Sequence, residues 1–259
     1  MEWTVLGAGS ILPRAGFGCS GHALRPTQGG LVTLFDCGPG SVRMLGTVGI
    51  ALEEVERVCL THYHPDHCLD LLALAFARRS PSFEPRIRRP LEIIGPRGLV
   101  EFLERGAALY GEKTWTRFGA ATVVEVDPSE RGASLDRGEL RLAWVATLHT
   151  PHSIAWRADG PGGSVAYSGD TGENADVAEL ARGADLFVCE CSFPDDAAVD
   201  HHLTPSSAAR LARTAQCKTL LLTHFYPSLT PESAREAAAR TFDGAVETAR
   251  DGSRHRVRA

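Results

Sequence analysis

An α/β fold built from two mixed β-sheets with helices on the outside is predicted by three observations on this 259-residue chain. Short apolar and β-branched runs recur along its whole length. Helical patterns separate some of these runs, while others follow one another directly. Several runs end on a histidine or an aspartate, the place where ligands collect in α/β sheets. Strands separated by helices pair in parallel and adjacent strands pair antiparallel, so both kinds belong in the same sheets.

In chain order, strands are expected over 3–9, 31–38, 57–62, 91–96, 122–126, 140–147, 164–170, 186–192 and 219–224, each rich in the residue types that suit a pleated surface. The segment ADGPGGS between residues 158 and 164 predicts a hairpin. Helical patterns run over 67–79, 96–110, 205–215 and 231–242. The last two open with Pro205 and Pro231 in the first turn, and the preceding Thr204 and Thr230 are expected N-caps. No linker interrupts this succession, so one domain over residues 1–259 is expected.

Composition narrows the function. A net charge of −5 argues against a surface that grips nucleic acid non-specifically. Arginine is concentrated in RRSPSFEPRIRRP, residues 78–90, which reads either as a solvated loop or as a loop meeting anionic groups of a substrate. No apolar run is long enough for a membrane span. The opening MEWTVLGAGS lacks the basic and apolar regions of a signal peptide, so a cytoplasmic protein is expected. The seven cysteines have no zinc-ribbon spacing and read as reduced core thiols.

The chemistry is announced by THYHPDH, residues 61–67. His62 and His64 are two apart at a strand end, so their side chains point the same way. Pro65 breaks the strand, and the turn then offers Asp66 and His67. Two imidazoles are thereby placed for one metal and a carboxylate with a third imidazole for another, a donor mixture that suits Zn2+ and also Mn2+ or Fe. His224, Asp170 and the pair His149 and His152 in LHTPHS occupy similar positions after other apolar runs.

The order H-x-H-x-D-H, a later His, the Asp of SGDT and the final His of LTHF resembles the metallo-β-lactamase superfamily. LGAGSILPR, LFDCGPG, THYHPDH, YSGDT and LTHFYP look most similar to its ribonuclease Z and phosphodiesterase-like branch. The resemblance implies an αββα sandwich with two divalent metal ions at one edge. One ion would take His62, His64 and the third-motif histidine; the other would take Asp66, His67 and His224, with Asp170 bridging. HTPHSIAWR fits the third motif from His149, and His152 is the alternate. Asp66 would also accept a proton from the attacking water, and His202 in HHLTPSS would act as general acid. Asp36 would hydrogen-bond a metal-ligating histidine. Glu190 and Ser192, at the strand end CECS, would border the site. Relatives in this family are often dimers, so a homodimer is expected.

The pattern departs from tRNA-processing ribonuclease Z in two places. Its substrate-binding arm lies between the third-motif histidine and the bridging aspartate, where this chain has only about twenty residues. Its early P-x-K-x-R-N loop is replaced by PRAGFGCSG. The expected activity is therefore hydrolysis of a phosphodiester in a small anionic substrate, a nucleotide or short RNA. Hydrolysis of a carboxylic ester, thioester or lactone is the alternative, since the same ligands serve it. A di-iron redox role would bring a flavin domain and an acid at the second ligand pair, and a binding protein would lack ligands; the sequence shows neither signature.

Overall fold

The computed structural model describes residues 1–78, 89–110 and 121–259. Its strands form two seven-stranded sheets. The first contains β1 (Glu2–Gly7), β2 (Gly21–Arg25), β3 (Val32–Cys37), β4 (Val55–Cys59), β5 (Glu92–Pro96), β6 (Thr122–Val126) and β14 (Arg254–Arg256), in the order β14-β1-β2-β3-β4-β5-β6. The second contains β7 (Ser134–Arg137), β8 (Leu140–Ala146), β9 (Ile154–Gly160), β10 (Gly163–Tyr167), β11 (Leu186–Glu190), β12 (Thr219–Thr223) and β13 (Ala245–Thr248), in the order β13-β12-β11-β10-β9-β8-β7.

Each sheet is antiparallel on one side and parallel on the other. Pairing is antiparallel through β14-β1-β2-β3 and through β7-β8-β9-β10. It is parallel from β3 to β6 and from β10 to β13. The cause is the connection: each parallel step requires a crossover, and helices supply them. These are α1 (Ser41–Thr47), α2 (Pro65–Cys68) leading into α3 (Asp70–Arg78), and α4 (Leu99–Tyr110) for the first sheet. For the second they are α5 (Ala175–Leu180), α6 (Pro205–Ala215) and α7 (Pro231–Ala238).

Period-two alternation divides each strand between two apolar layers. Leu186 and Val188 of β11, and Leu221 of β12, face the layer between the sheets with Trp3, Val5, Phe35, Trp144 and Trp156. Their neighbours Phe187, Cys189, Leu220 and Leu222 face outward onto Val177, Leu211, Ala212 and Ala234 of the helices. The first sheet does the same, packing Leu34, Val58, Leu60 and Ile93 against Leu45, Leu71, Leu74 and Leu103. The result is the four-layered αββα sandwich that the sequence predicted.

The nine expected strands are present, and so is the hairpin, with Gly160 opposite Gly163. The strands β2, β7, β13 and β14, with helices α1 and α5, go beyond the expected elements. Strands β7, β13 and β14 are short, edge or near-edge and polar, and the two helices have six or seven residues, too few to show a period. The helix expected over 67–79 instead has its cap residue Leu69 between α2 and α3. Thr204 and Thr230 do cap α6 and α7, accepting bonds from the amides of Ser207 and Ser233. All seven cysteines are unpaired, and all but Cys19 are buried. Of the arginine-rich stretch, residues 79–88 lie outside the described residues; Arg78 is buried and donates to the carbonyls of Leu52 and Arg89. No helix among the described residues is long and apolar enough to cross a membrane.

Candidate metal centre

Five strands of the two sheets end in loops that meet along one edge of the sandwich. From β3 comes Asp36, from β4 the run Thr61–His67, from β8 His149, from β10 Asp170, and from β12 His224. Asp36 and His224 both adopt left-handed backbone, at φ 57° and 60°. That conformation is costly for residues with a Cβ and turns the chain sharply as it leaves the strand. At Gly38 the chain passes so close to the Asp66 carbonyl that a Cβ would lie 1.9 Å from its oxygen, so only glycine lets the two loops meet.

The side chains form two separate groups, and a third, of Asp170, His202 and His224, overlaps them. His62, His64, His149 and Asp170 converge in one; Asp66, His67 and His224 converge in the other. His64 Nδ1 lies 3.0 Å from His62 Nε2 and 3.0 Å from His149 Nε2. His67 Nε2 and His224 Nε2 are 3.2 Å apart, and Asp66 Oδ2 is 3.5 Å from His224 Nε2. Asp170 stands between the groups. Its Oδ1 is 3.3 Å from His67 Nε2 and 3.5 Å from His224 Nε2, while its Oδ2 faces His149 at 3.7 Å and His62 at 3.9 Å.

The hydrogen bonds behind these rings assign their tautomers. His67 Nδ1 donates to Asp36 Oδ2 at 2.7 Å and His149 Nδ1 donates to the His201 carbonyl at 3.1 Å. Thr61 Oγ1 donates to Asp36 and so accepts from His62 Nδ1; Ser192 Oγ donates to Glu190 and so accepts from His224 Nδ1. Four imidazoles thus present Nε2 lone pairs to the interior. In the neutral rings at most one proton, on His64, lies among the first group's three nitrogens, and none lies between His67 and His224. Such nitrogens repel one another unless a cation is among them. The buried Asp170 Oδ1 also lacks a hydrogen-bond donor, and no lysine or arginine among the described residues pairs with the cluster. The cluster draws positive charge to itself: burial works against a charged His67, yet Asp170 and Asp36 outweigh it and push its pKa well above the ordinary value. Burial would likewise raise Asp170, but His224 and His67 hold it well below the usual carboxylate range. Imidazole nitrogen with carboxylate oxygen is a donor set that fits divalent metal ions.

His202, from the loop before α6, closes one side. Its Nδ1 lies 3.1 Å from each oxygen of Glu190, a fully buried carboxylate that also accepts from the Thr171 amide and Ser192 Oγ. Burial opposes a charged His202, but its bond to Glu190 outweighs that and raises its pKa. Its ring is 4.9 Å from that of His149. The structure therefore brings together His62, His64, Asp66, His67, His149, Asp170, His202 and His224, with Asp36, Glu190 and Ser192 behind them. His152 is exposed and makes no hydrogen bond or ion pair with them, and it belongs to none of the donor groups. The sequence reading missed Tyr167, whose hydroxyl donates to Asp36 Oδ2 at 2.8 Å and meets Ser20 Oγ at 2.9 Å. It also missed that Glu190 holds His202. Both carry a local signal, a polar residue at or near a strand end, but their partners are remote in sequence.

Comparison with known proteins identifies the family and the fold. Residues 33–225 match the family described as beta-lactamase superfamily domain. A ribonuclease Z of Mycobacterium avium is 32% identical over all of this chain and 99% of its own length. A ribonuclease Z of Mycobacterium bovis is 30% identical over 99% of the chain and 98% of its own. Among solved structures, the metallo-beta-lactamase fold protein YhfI from Bacillus subtilis superposes with a TM-score of 0.85 at 26% identity, covering 98% of each chain. Human tRNase Z, short form, gives 0.79 at 26% identity over the whole of both chains. A diphosphatase of the PhnP family, at 17% identity and a TM-score of 0.72 over 98% of this chain and 97% of its own, shares the fold.

Proposed function

Because the chain belongs to the metallo-β-lactamase superfamily, in its ribonuclease Z-like branch, we propose that it is a two-metal phosphodiesterase, folded as one domain over residues 1–259. The observation that carries the reading is Asp170, whose two carboxylate oxygens face two separate groups of donors. His62, His64 and His149 would hold one ion, and Asp66, His67 and His224 the other, with Asp170 shared; Zn2+ suits these donors, and Mn2+ or Fe does so too. When bound, a pair of such ions supplies Lewis acidity and a water of lowered pKa.

The chain's own residues do the rest. Asp36 fixes the His67 ring through Nδ1, and Thr61 and Ser192 fix His62 and His224 in the same way. Asp66, buried beside His224, accepts the proton of the attacking water. Glu190 holds His202 by Nδ1, and the ring's other nitrogen, free of any partner among the described residues, donates a proton to the leaving oxygen. The interval between His149 and Asp170 is filled by the β9–β10 hairpin, so it contains no substrate-binding arm. That supports a small anionic substrate, a nucleotide or short RNA, over tRNA, although the relatives named above include ribonucleases.

The test pairs metal content with hydrolysis of bis(p-nitrophenyl) phosphate and of a p-nitrophenyl carboxylic ester, for the native protein and His202→Ala. Diesterase activity that falls about 100-fold or more in the variant is expected for loss of a general acid. Ester cleavage alone, indifferent to His202, would replace this reading with that of an esterase or lactonase.

A further inference from the structure

Two aromatic residues continue the site outward. Phe193 follows Ser192, and Tyr226 lies two residues after His224. Their rings stack at 4.6 Å with planes 28° apart. The Tyr226 ring is 5.8 Å from that of His224 and 5.9 Å from that of His202, and the Phe193 ring is 5.7 Å from His202. Both are half-buried, whereas their neighbours Ser192, His224 and Phe225 are buried. Tyr63 and Tyr167 donate their hydroxyls to Pro96 and Asp36, as buried tyrosines generally do; the Tyr226 hydroxyl makes no hydrogen bond among the described residues. A ring fixed on one face by packing, with its hydroxyl unengaged, stands beside the groups assigned to proton transfer.

Two exposed apolar side chains also flank residues of the site. Leu148, next to His149, is 54% exposed, and Val199, whose carbonyl accepts from the His202 amide, is 43% exposed. No lysine or arginine among the described residues pairs with any carboxylate of the site. A protein that binds a long polynucleotide tracks its phosphates with basic side chains, whereas aromatic side chains bind individual bases by stacking. Phe193 and Tyr226 give this mouth the second kind of surface, and among the described residues no basic side chain pairs with the carboxylates it encloses.

We propose that Phe193 and Tyr226 form a stacking shelf for one planar aromatic group, so that the substrate is a small phosphodiester bearing a single nucleobase-sized ring. The inference rests on the phosphodiesterase reading of the metal centre and narrows its substrate class. The ring lies on the shelf, the phosphate reaches the donor groups around Asp170, and His202 stands between the two.

Calorimetric titration of the metal-loaded protein with adenosine 5′-monophosphate and with ribose 5-phosphate separates the ring from the phosphate. The nucleotide is expected to bind about tenfold tighter or more, the range of one stacked base. Tyr226→Leu and, independently, Phe193→Leu should bring that ratio close to one while leaving ribose 5-phosphate affinity and metal content unchanged. Tyr226→Phe should keep the ratio. Equal affinities in the native protein, or a preference that survives both leucine variants, would overturn the shelf. So would a five-residue RNA that binds more than tenfold tighter than the mononucleotide, since the occupant would then be a polynucleotide. Bis(p-nitrophenyl) phosphate hydrolysis by the same preparations reports on the diesterase reading separately: active protein without a ring preference loses the shelf alone.

Discussion

Two neighbourhoods of this protein bury histidine, and they use it in opposite ways. At the sheet edge, His62, His67, His149 and His224 each have Nδ1 tied to a fixed oxygen, which leaves Nε2 aimed inward beside carboxylates. In the layer between the sheets, His22 of β2 is fully buried, stacks on Trp3 at 5.1 Å and meets the Tyr167 ring at 5.0 Å, and neither of its nitrogens has a partner. Burial, with the nearby imidazole of His67, pushes its pKa down to about 3, so it packs as a neutral aromatic ring. The difference lies in what stands behind each ring. An anchored Nδ1 with carboxylates in front suits a ring to metal binding; an imidazole among apolar rings makes core.

The largest expected effects come from breaking the first neighbourhood. Asp66→Ala should lower diesterase turnover by three orders of magnitude or more, about the scale of losing a general base with its ligand oxygen. At least one metal per chain should remain, measured by elemental analysis, because the first donor group is intact. Persisting turnover would remove Asp66 from the mechanism. Next in size, Asp36→Asn takes away the carboxylate behind His67 and should weaken metal binding about 10- to 100-fold, read by competition with a chromogenic chelator. His149→Ala should lower metal content whereas His152→Ala should not; equal losses would mean that the third donor is wrongly placed.

The smallest effect concerns His22 and appears as a pH dependence. Its folded pKa, about 3, lies below the unfolded value near 6.5, so the unfolded chain binds the proton more readily. Stability from this group is full above pH 6.5 and falls as pH drops toward 3, by about 1.4 kcal/mol per unit. His22→Phe should flatten that part of the acid-unfolding profile and leave metal content unchanged. An unaltered profile would show that His22 is not held neutral in the fold.

These contrasts also mark what could be read in the sequence. The strand-then-histidine pattern is local, so 61–67, Asp170 and His224 stand out, and the alternation that builds the sandwich is visible strand by strand. The neutral, packed role of His22 is not visible at that level, because burial and partners are decided by packing between strands far apart in the chain. Tyr167 reaches Asp36 across the two sheets, and Glu190 reaches His202 through a loop. Short edge strands such as β13 and β14 carry little apolar alternation because they are largely exposed. Asp36 shows the same limit from the other direction: its residue type suits a turn, and only the assembled site reveals the four donors, on Thr61, His67 and Tyr167, from which it accepts hydrogen bonds.

The central claim is that the anchored imidazoles and Asp170 hold two metal ions rather than one. Inductively coupled plasma mass spectrometry on protein dialysed against Zn2+ and then freed of excess metal measures this directly. Two ions per chain are expected, falling to one or fewer in Asp170→Ala. A single ion per chain in the native protein at saturating metal, or two that persist in the variant, would contradict the account.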